Sequence, residues 1–196
     1  MERAIDRFQE RMGRRPALLA ASPGRIEFIG NHCDYNGGDV LGVALDRHIE
    51  VAAERRSDDK LVFSSDGVAS AYEGRITELA PASGAQSWAN YPLGILSVLK
   101  SRGYDLKNGY TFTYASNLPT GAGLSSSAAI ELATLQAVSV LEGIEISRSE
   151  KVLIAQEAEN RFVGVPCGML DQAVSCFGKV NHLVRIVCSA TAFSTV

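Results

Sequence analysis

The sequence predicts an α+β fold, a mixed β-sheet covered by helices. Three observations predict it. Segments that alternate apolar and polar residues crowd the first third of the chain, and segments with apolar residues at three- and four-residue steps dominate from Trp88 onward. Near the middle, one strand runs through a glycine-rich loop directly into a helix, joining the two regions. The chain has 196 residues, 46% apolar and 21% charged, which is ordinary for a folded globular protein.

Each element has its own signal. Ile5, Phe8 and Met12 predict an amphipathic helix over 2–12, stopped by Gly13 and Pro16. Leu18–Ala21 is a short strand, Ser22–Gly24 a turn, and Arg25–Ile29 a second strand with Ile26 and Phe28 on one face. A polar loop, Gly30–Gly38, precedes strands at Val40–Leu45 and Ile49–Ala53. Further strands are expected at Leu61–Ser64 and Ala69–Glu73. Helical spacing returns over Trp88–Lys100, where Pro92 is acceptable in the first turn. Tyr110–Ala115 is a strand, and the helix after it, about Ser125–Leu141, is apolar on nearly every face and so should be central and buried. Ser147 and Glu150 have capping-box spacing and open a helix to about Asn160. Gly164–Gly168 breaks the chain, Met169–Phe177 is a short helix, and Leu183–Val187 is a strand followed by a Ser, Thr and Ala tail. A last strand with no following partner suggests a domain boundary or a truncation.

Charge and composition exclude several classes. The net charge of −3 carries no run of one sign, so no nucleic-acid footprint is present. No apolar run reaches the length of a membrane span, and the first residues lack the core of a signal peptide; the expected location is cytoplasmic. The cysteines at 33, 167, 176 and 188 have no metal-ligand spacing and read as reduced structural thiols.

Three clusters could carry chemistry. Asn117–Glu131, NLPTGAGLSSSAAIE, is a glycine-rich turn entering a helix, whose unpaired N–H groups suit an anion such as phosphate. It contains no lysine and is not a Walker A loop; a serine-capped helix after a tight turn is the other reading. Arg25 and the loop residues Asn31, His32, Asp34, Tyr35 and Asn36 offer the paired donors and acceptors that hydroxyl-rich ligands need, or else an Asx-rich turn. Glu159–Asp171, ENRFVGVPCGMLD, bends at Gly164, Pro166 and Gly168 and sets Asp171 in the first turn of a short helix. A phosphate cradle, a hydroxyl-binding loop, an arginine and a carboxylate are the parts of phosphoryl transfer.

The stretches SPGRIEFIGNHCDYNGG, NLPTGAGLSSSAAIE and AQEAENRFVGVPCGMLDQ, with WANYPLGIL at 88–96, resemble motifs of the galactokinases, within the GHMP superfamily of small-molecule kinases. The resemblance implies ATP-dependent phosphorylation of a sugar at its C1 hydroxyl, galactose to galactose 1-phosphate, with Mg2+. Asp171 matches the catalytic base, and Arg25 matches the arginine that pairs with it and stabilises the transferring group. Ser127 and Glu159 match magnesium ligands. Gly121, Ala122, Gly123, Leu124, Ser125, Ser126 and Ser127 match the ATP phosphate loop, and Ser64 a further nucleotide contact. Asn31, His32 and Asp34 fall in the sugar loop, and Gly168 matches a backbone contact to the sugar.

The family loop reads Gly-Glu-His-Thr-Asp-Tyr, whereas this chain has Asn31 and Cys33 in the second and fourth places. The resemblance also implies that residues 1–196 are one ATP- and sugar-binding N-terminal domain, without the C-terminal domain that completes the cleft. Three alternatives stay open: a kinase for another alcohol, a non-catalytic sugar- and ATP-binding regulator, and an inactive fragment. Such regulators lack the pair retained here as Ser127–Ala128.

Overall fold

The computed structural model describes residues 3–119 and 121–196; Glu2 of the expected first helix and Thr120 of the glycine-rich stretch lie outside them. Helix α1 (Arg3–Met12) leads to strands β1 (Leu18–Ile29), β2 (Asp39–Arg55), β3 (Lys60–Ser65) and β4 (Tyr72–Arg75). A 3₁₀ segment, Gly84–Ala89, opens α2 (Asn90–Ser101), and β5 (Tyr110–Ser116) feeds α3 (Ser126–Glu142). Then come α4 (Arg148–Glu157), α5 (Leu170–Phe177), β6 (Val184–Val187) and β7 (Ala192–Thr195).

The strands form one sheet in the order β4-β3-β5-β2-β6-β7, with β1 on β2. Only the β3–β5 pair is parallel among the described strands, so the sheet is mixed and the fold is α+β as expected. The long strand β2 organises it. Its first part pairs with β6 and its last part with β5, while β1 runs beside it from Leu18↔Ala53 to Ile29↔Leu41.

Alternation along β5 decides what each face holds. Tyr110, Phe112 and Tyr114 point into the main core with Leu61 and Phe63 of β3 and the apolar residues of α2 and α3. Phe63 and Tyr110 stack on Phe112 at centroid distances of 5.1 and 5.3 Å. Each such buried ring contributes about 1.5–3 kcal/mol of transfer free energy. Ala115 faces the other way, where Ala4 and Phe8 of α1 cover Ala52 and Ala115. A third cluster packs α5 through Leu170, Ala173 and Val174 onto Val40, Val184 and Ile186. Helix α3 is the buried central helix its apolar perimeter predicts, touching β1, β2, α2, α4 and α5. The Ser147 hydroxyl accepts from Glu150 N at 3.2 Å and caps α4.

Three expectations are corrected. Ser22–Gly24 is not a turn: β1 passes straight through, with Pro23 opposite His48 and the register slipping before Arg25. Among the described strands β1 pairs with β2 alone, so proline interrupts no ladder on its outer side. The expected strands at 40–45 and 49–53 are likewise one strand. The Ser, Thr and Ala tail is β7, antiparallel to β6 from Val184↔Thr195 to Val187↔Ala192, so the last expected strand does have a partner after it.

Candidate active site

The fold brings the end of β1, the entry to α3 and the start of α5 to one place. Arg25 on β1 donates from Nε to Asp171 Oδ1 at 2.7 Å, and from its second terminal nitrogen to the same oxygen at 2.5 Å. Its Nη1 reaches Gly123 O at 2.9 Å, and its backbone N–H donates to Leu124 O at 3.2 Å. One arginine thus ties the acidic side chain of α5 to the glycine-rich loop. The Arg25 and Asp171 side chains retain 15% and 27% exposure, enough for a ligand to reach a largely buried pair.

Between β5 and α3 the backbone enters the left-handed region at Gly121 (φ +70), Gly123 (φ +67) and Ser125 (φ +56). Such alternation turns successive N–H groups toward one side, the geometry of an anion nest. For serine that conformation costs about 1–3 kcal/mol and needs an external reason to persist. The reason is visible: Ser125 Oγ donates to Asp171 Oδ2. That hydroxyl therefore does not cap α3, whose first-turn N–H groups stay at the positive end of the helix. Residues 121–127 with Arg25, Tyr91 and Asp171 line a cavity of about 290 Å³. A more open groove of about 830 Å³ between α3 and α4, floored by Gln136 and Lys151, contains none of these residues.

Behind the loop, Ser127 lies near enough to the buried carboxyl of Glu159 to lower its pKa. Glu159 stands in a π-helical turn, Ala158–Val163, which lets α4 end without breaking and returns the chain through Gly164 N→Glu159 O at 3.0 Å. Gln172 Nε2 donates to Glu159 Oε2 at 2.7 Å. Burial raises the Glu159 pKa, the nearby Ser127 side chain opposes it, and the Asp171 charge adds to it. Burial pushes the neighbouring Cys167 thiol up to about 12, helped by the Glu159 charge, so it is held as a thiol. A serine hydroxyl and a carboxyl are hard oxygen donors. This pair suits Mg2+, which takes few protein ligands and completes its shell with phosphates and water. Among the described residues no group of three or more His, Cys, Asp or Glu side chains fit for a metal occurs.

The polar loop closes as a 3₁₀ turn at Asp34–Asn36, with Cys33 N→Gly30 O and Gly38 N→Cys33 O both at 2.8 Å. His32, at φ +63, shares a hydrogen bond between its Nδ1 and the Tyr35 hydroxyl, and Asn31 and His32 are exposed. Asp34 lies against Gly168: a Cβ there would sit 1.9 Å from Asp34 Oδ2. Only glycine allows that approach, and through it the loop meets the segment that carries Asp171. Cys33 packs at the edge of the α5 cluster.

Arg25, Asp171, Gly121–Ser127 and Glu159 are therefore brought together, with Asp34 and Gly168 paired alongside. Ser64 is not. Leu61 and Phe63 face the main core, so Ser64 projects to the opposite face, bonds Thr113 Oγ1 at 3.2 Å and lines a separate cavity with Arg7 and Arg11. Tyr91, which lines the cavity, and Gln172, which bonds Glu159, were not singled out by the sequence. Each sits in an apolar helical pattern that reads as core.

Comparison with known proteins bears on the family. Residues 90–179 match the family described as GHMP kinases N terminal domain, and residues 6–55 match the galactokinase galactose-binding signature. By fold and by these matches the chain belongs to the GHMP kinases. Within them it is similar to the galactokinases. A galactokinase of Roseiflexus sp. (strain RS-1) is 38% identical over 202 aligned positions, taking in 97% of this chain and 48% of that protein. One of Thermotoga petrophila is 40% identical over 167 positions, 85% of this chain and 45% of the relative. The crystal structure of Lactococcus lactis galactokinase complexed with galactose matches with a TM-score of 0.92 at 31% identity, over 100% of this chain and 51% of that one. A Methanococcus jannaschii mevalonate kinase matches at 0.75 with 18% identity, covering 91% of this chain and 55% of that one, a likeness of fold. The chain spans about half the length of the curated relatives it matches.

Proposed function

We propose that the chain is the ATP- and sugar-binding N-terminal domain of a sugar 1-kinase that converts galactose to galactose 1-phosphate. The observation that carries this reading is the Arg25–Asp171–Ser125 constellation, which holds a carboxyl at the mouth of a left-handed, glycine-rich turn. In this reading the N–H groups of Gly121–Ser127 hold the ATP phosphates. Asp34, His32 and Asn31 present the sugar, with the backbone at Gly168 against it. Asp171 takes the proton of the C1 hydroxyl, whose oxygen attacks the γ-phosphorus as the bond to ADP breaks. Arg25 orients Asp171 and neutralises charge on the moving phosphoryl group. Ser127 and Glu159 would hold Mg2+, which supplies neutralisation of the phosphate oxygens.

Among the described residues no helix is long and apolar enough to cross a membrane, and the four cysteines are free. The free cysteines suit a reducing cytoplasm. The test is ADP release measured against a panel of sugars. Galactose-dependent release supports the proposal, and release with no sugar preference, or none at all, rejects it.

A further inference from the structure

Consecutive residues at the start of α5 engage two different groups. Asp171 bonds Arg25 and Ser125 at the cavity, whereas Gln172 turns inward and donates from Nε2 to Glu159 Oε2 at 2.7 Å. Gln172 is 0% exposed, and the other end of its amide, Oε1, has no hydrogen-bond partner. A buried acceptor left in that state costs stability, and a leucine or methionine of similar volume would avoid the cost. Packing alone therefore gives no reason for an amide at 172; the bond to Glu159 does. A second donor meets the same atom, since the Cys167 thiol lies 3.7 Å from Glu159 Oε2 and Gln172 Nε2 lies 3.7 Å from that sulfur. Cys167 is itself fixed through its backbone: its N–H donates to Asn160 Oδ1 at 2.7 Å, and its carbonyl accepts from Gln156 and Asn160, each at 3.3 Å. Both side-chain donors gather on Oε2 and leave Oε1 to other partners.

We propose that Gln172 is a positioning residue: its amide pins Glu159 Oε2, fixes the plane of the carboxyl, and leaves Oε1 as the oxygen offered to Mg2+. The proposal rests on the kinase reading, in which Glu159 and Ser127 would hold that ion. The last torsion of a glutamate is otherwise broad, so without the pin the carboxyl plane is free to turn. Mg2+ demands near-ideal octahedral geometry and accommodates misplaced ligands poorly, so a fixed carboxyl matters for it. An amide N–H carries no lone pair for a cation, and this end of Gln172 holds the ligand without competing for the ion. Outer-shell partners of this type set the orientation of a metal-binding carboxylate.

Calorimetric titration of ADP into the protein, once with Mg2+ and once with a chelator, isolates the metal-dependent part of the affinity. In Gln172→Leu the enhancement by Mg2+ should fall about 10-fold or more. ADP without metal should bind as in wild type, because the loop Gly121–Ser127 is untouched. An enhancement equal to wild type overturns the positioning role. So does an equal loss with and without Mg2+, which marks a residue that only supports the fold. Gln172→Met, unbranched and closer to glutamine in shape, carries the same comparison if leucine prevents folding. Glu159→Gln separates the two readings. If Glu159→Gln loses the enhancement and Gln172→Leu keeps it, the metal site stands and only the role of Gln172 is overturned. If wild type shows no enhancement, or Glu159→Gln keeps all of it, the metal site of the kinase reading fails and the role of Gln172 falls with it.

Discussion

Replacing Gly168 by alanine puts a methyl carbon where Asp34 already is. The new Cβ would lie 1.9 Å from Oδ2 and 2.3 Å from Cγ, so the side chain must retreat by about 1.5 Å to reach ordinary contact at 3.4 Å. Asp34 sits in a partly exposed loop and can turn away, which costs about 0.5–1.5 kcal/mol of off-rotamer strain. For a chain of this size that is about 2–4 °C in Tm per kcal/mol. The kinetic effect should be larger, because a misplacement of about 1 Å can cost about 100-fold, or about 2.7 kcal/mol. Steady-state assays with each substrate varied should show kcat/KM for the sugar falling about 100-fold while the KM for ATP holds, since the phosphate loop is untouched. An unchanged sugar kcat/KM would refute the assignment of Asp34 and Gly168 to the sugar subsite. A matching loss toward ATP with a collapse in Tm would mean instead that the contact supports the fold.

Asp171→Asn keeps the shape of the base but loses its proton affinity, so turnover should fall by about 10²–10⁴ while calorimetry still detects the sugar; turnover near wild type would remove Asp171 from the chemistry. Asn31→Glu adds a charged acceptor to the exposed loop and should move preference toward galactose in a competition assay, and an unaltered sugar profile would exclude position 31 as a determinant. Glu131 predicts a pH effect on stability. Its folded pKa is raised above 4.5 by burial, so between 4.5 and that value the folded state binds the extra proton. Stability from this group is fully present below 4.5 and is lost as pH rises through the folded pKa. The Tm difference between wild type and Glu131→Gln should therefore shift against wild type as pH climbs, and a pH-independent difference would show that Glu131 titrates normally.

Local pattern made most of the fold legible. Helix α3 is apolar on nearly every face because most of its faces are buried, and Ser147 with Glu150 marks the start of α4. What stayed hidden depended on partners distant in sequence. Pro23 looks like punctuation until β1 is known to pair on one side only. The polar stretch Ala192–Thr195 has little reason to extend except the edge that β6 offers. The π-helical turn that seats Glu159 leaves no period to detect.

At the site, Arg25, Asp171 and Gly121–Ser127 could be read because glycines and polar side chains stand out from apolar surroundings. Ser64 lies apart from the glycine-rich loop, because local pattern does not fix which cavity a residue of β3 faces. The double use of Ser125, left-handed in the loop and bonded to Asp171, appears only once α5 is folded against it.

The central claim is that the Asp171 constellation directs the γ-phosphoryl group of ATP to the C1 hydroxyl of galactose. The most direct measurement is ³¹P NMR of the protein incubated with ATP, Mg2+ and galactose. The claim predicts ADP together with one phosphate resonance coupled to the anomeric proton, absent from Asp171→Asn. A phosphate on any other hydroxyl, or inorganic phosphate alone, would contradict it.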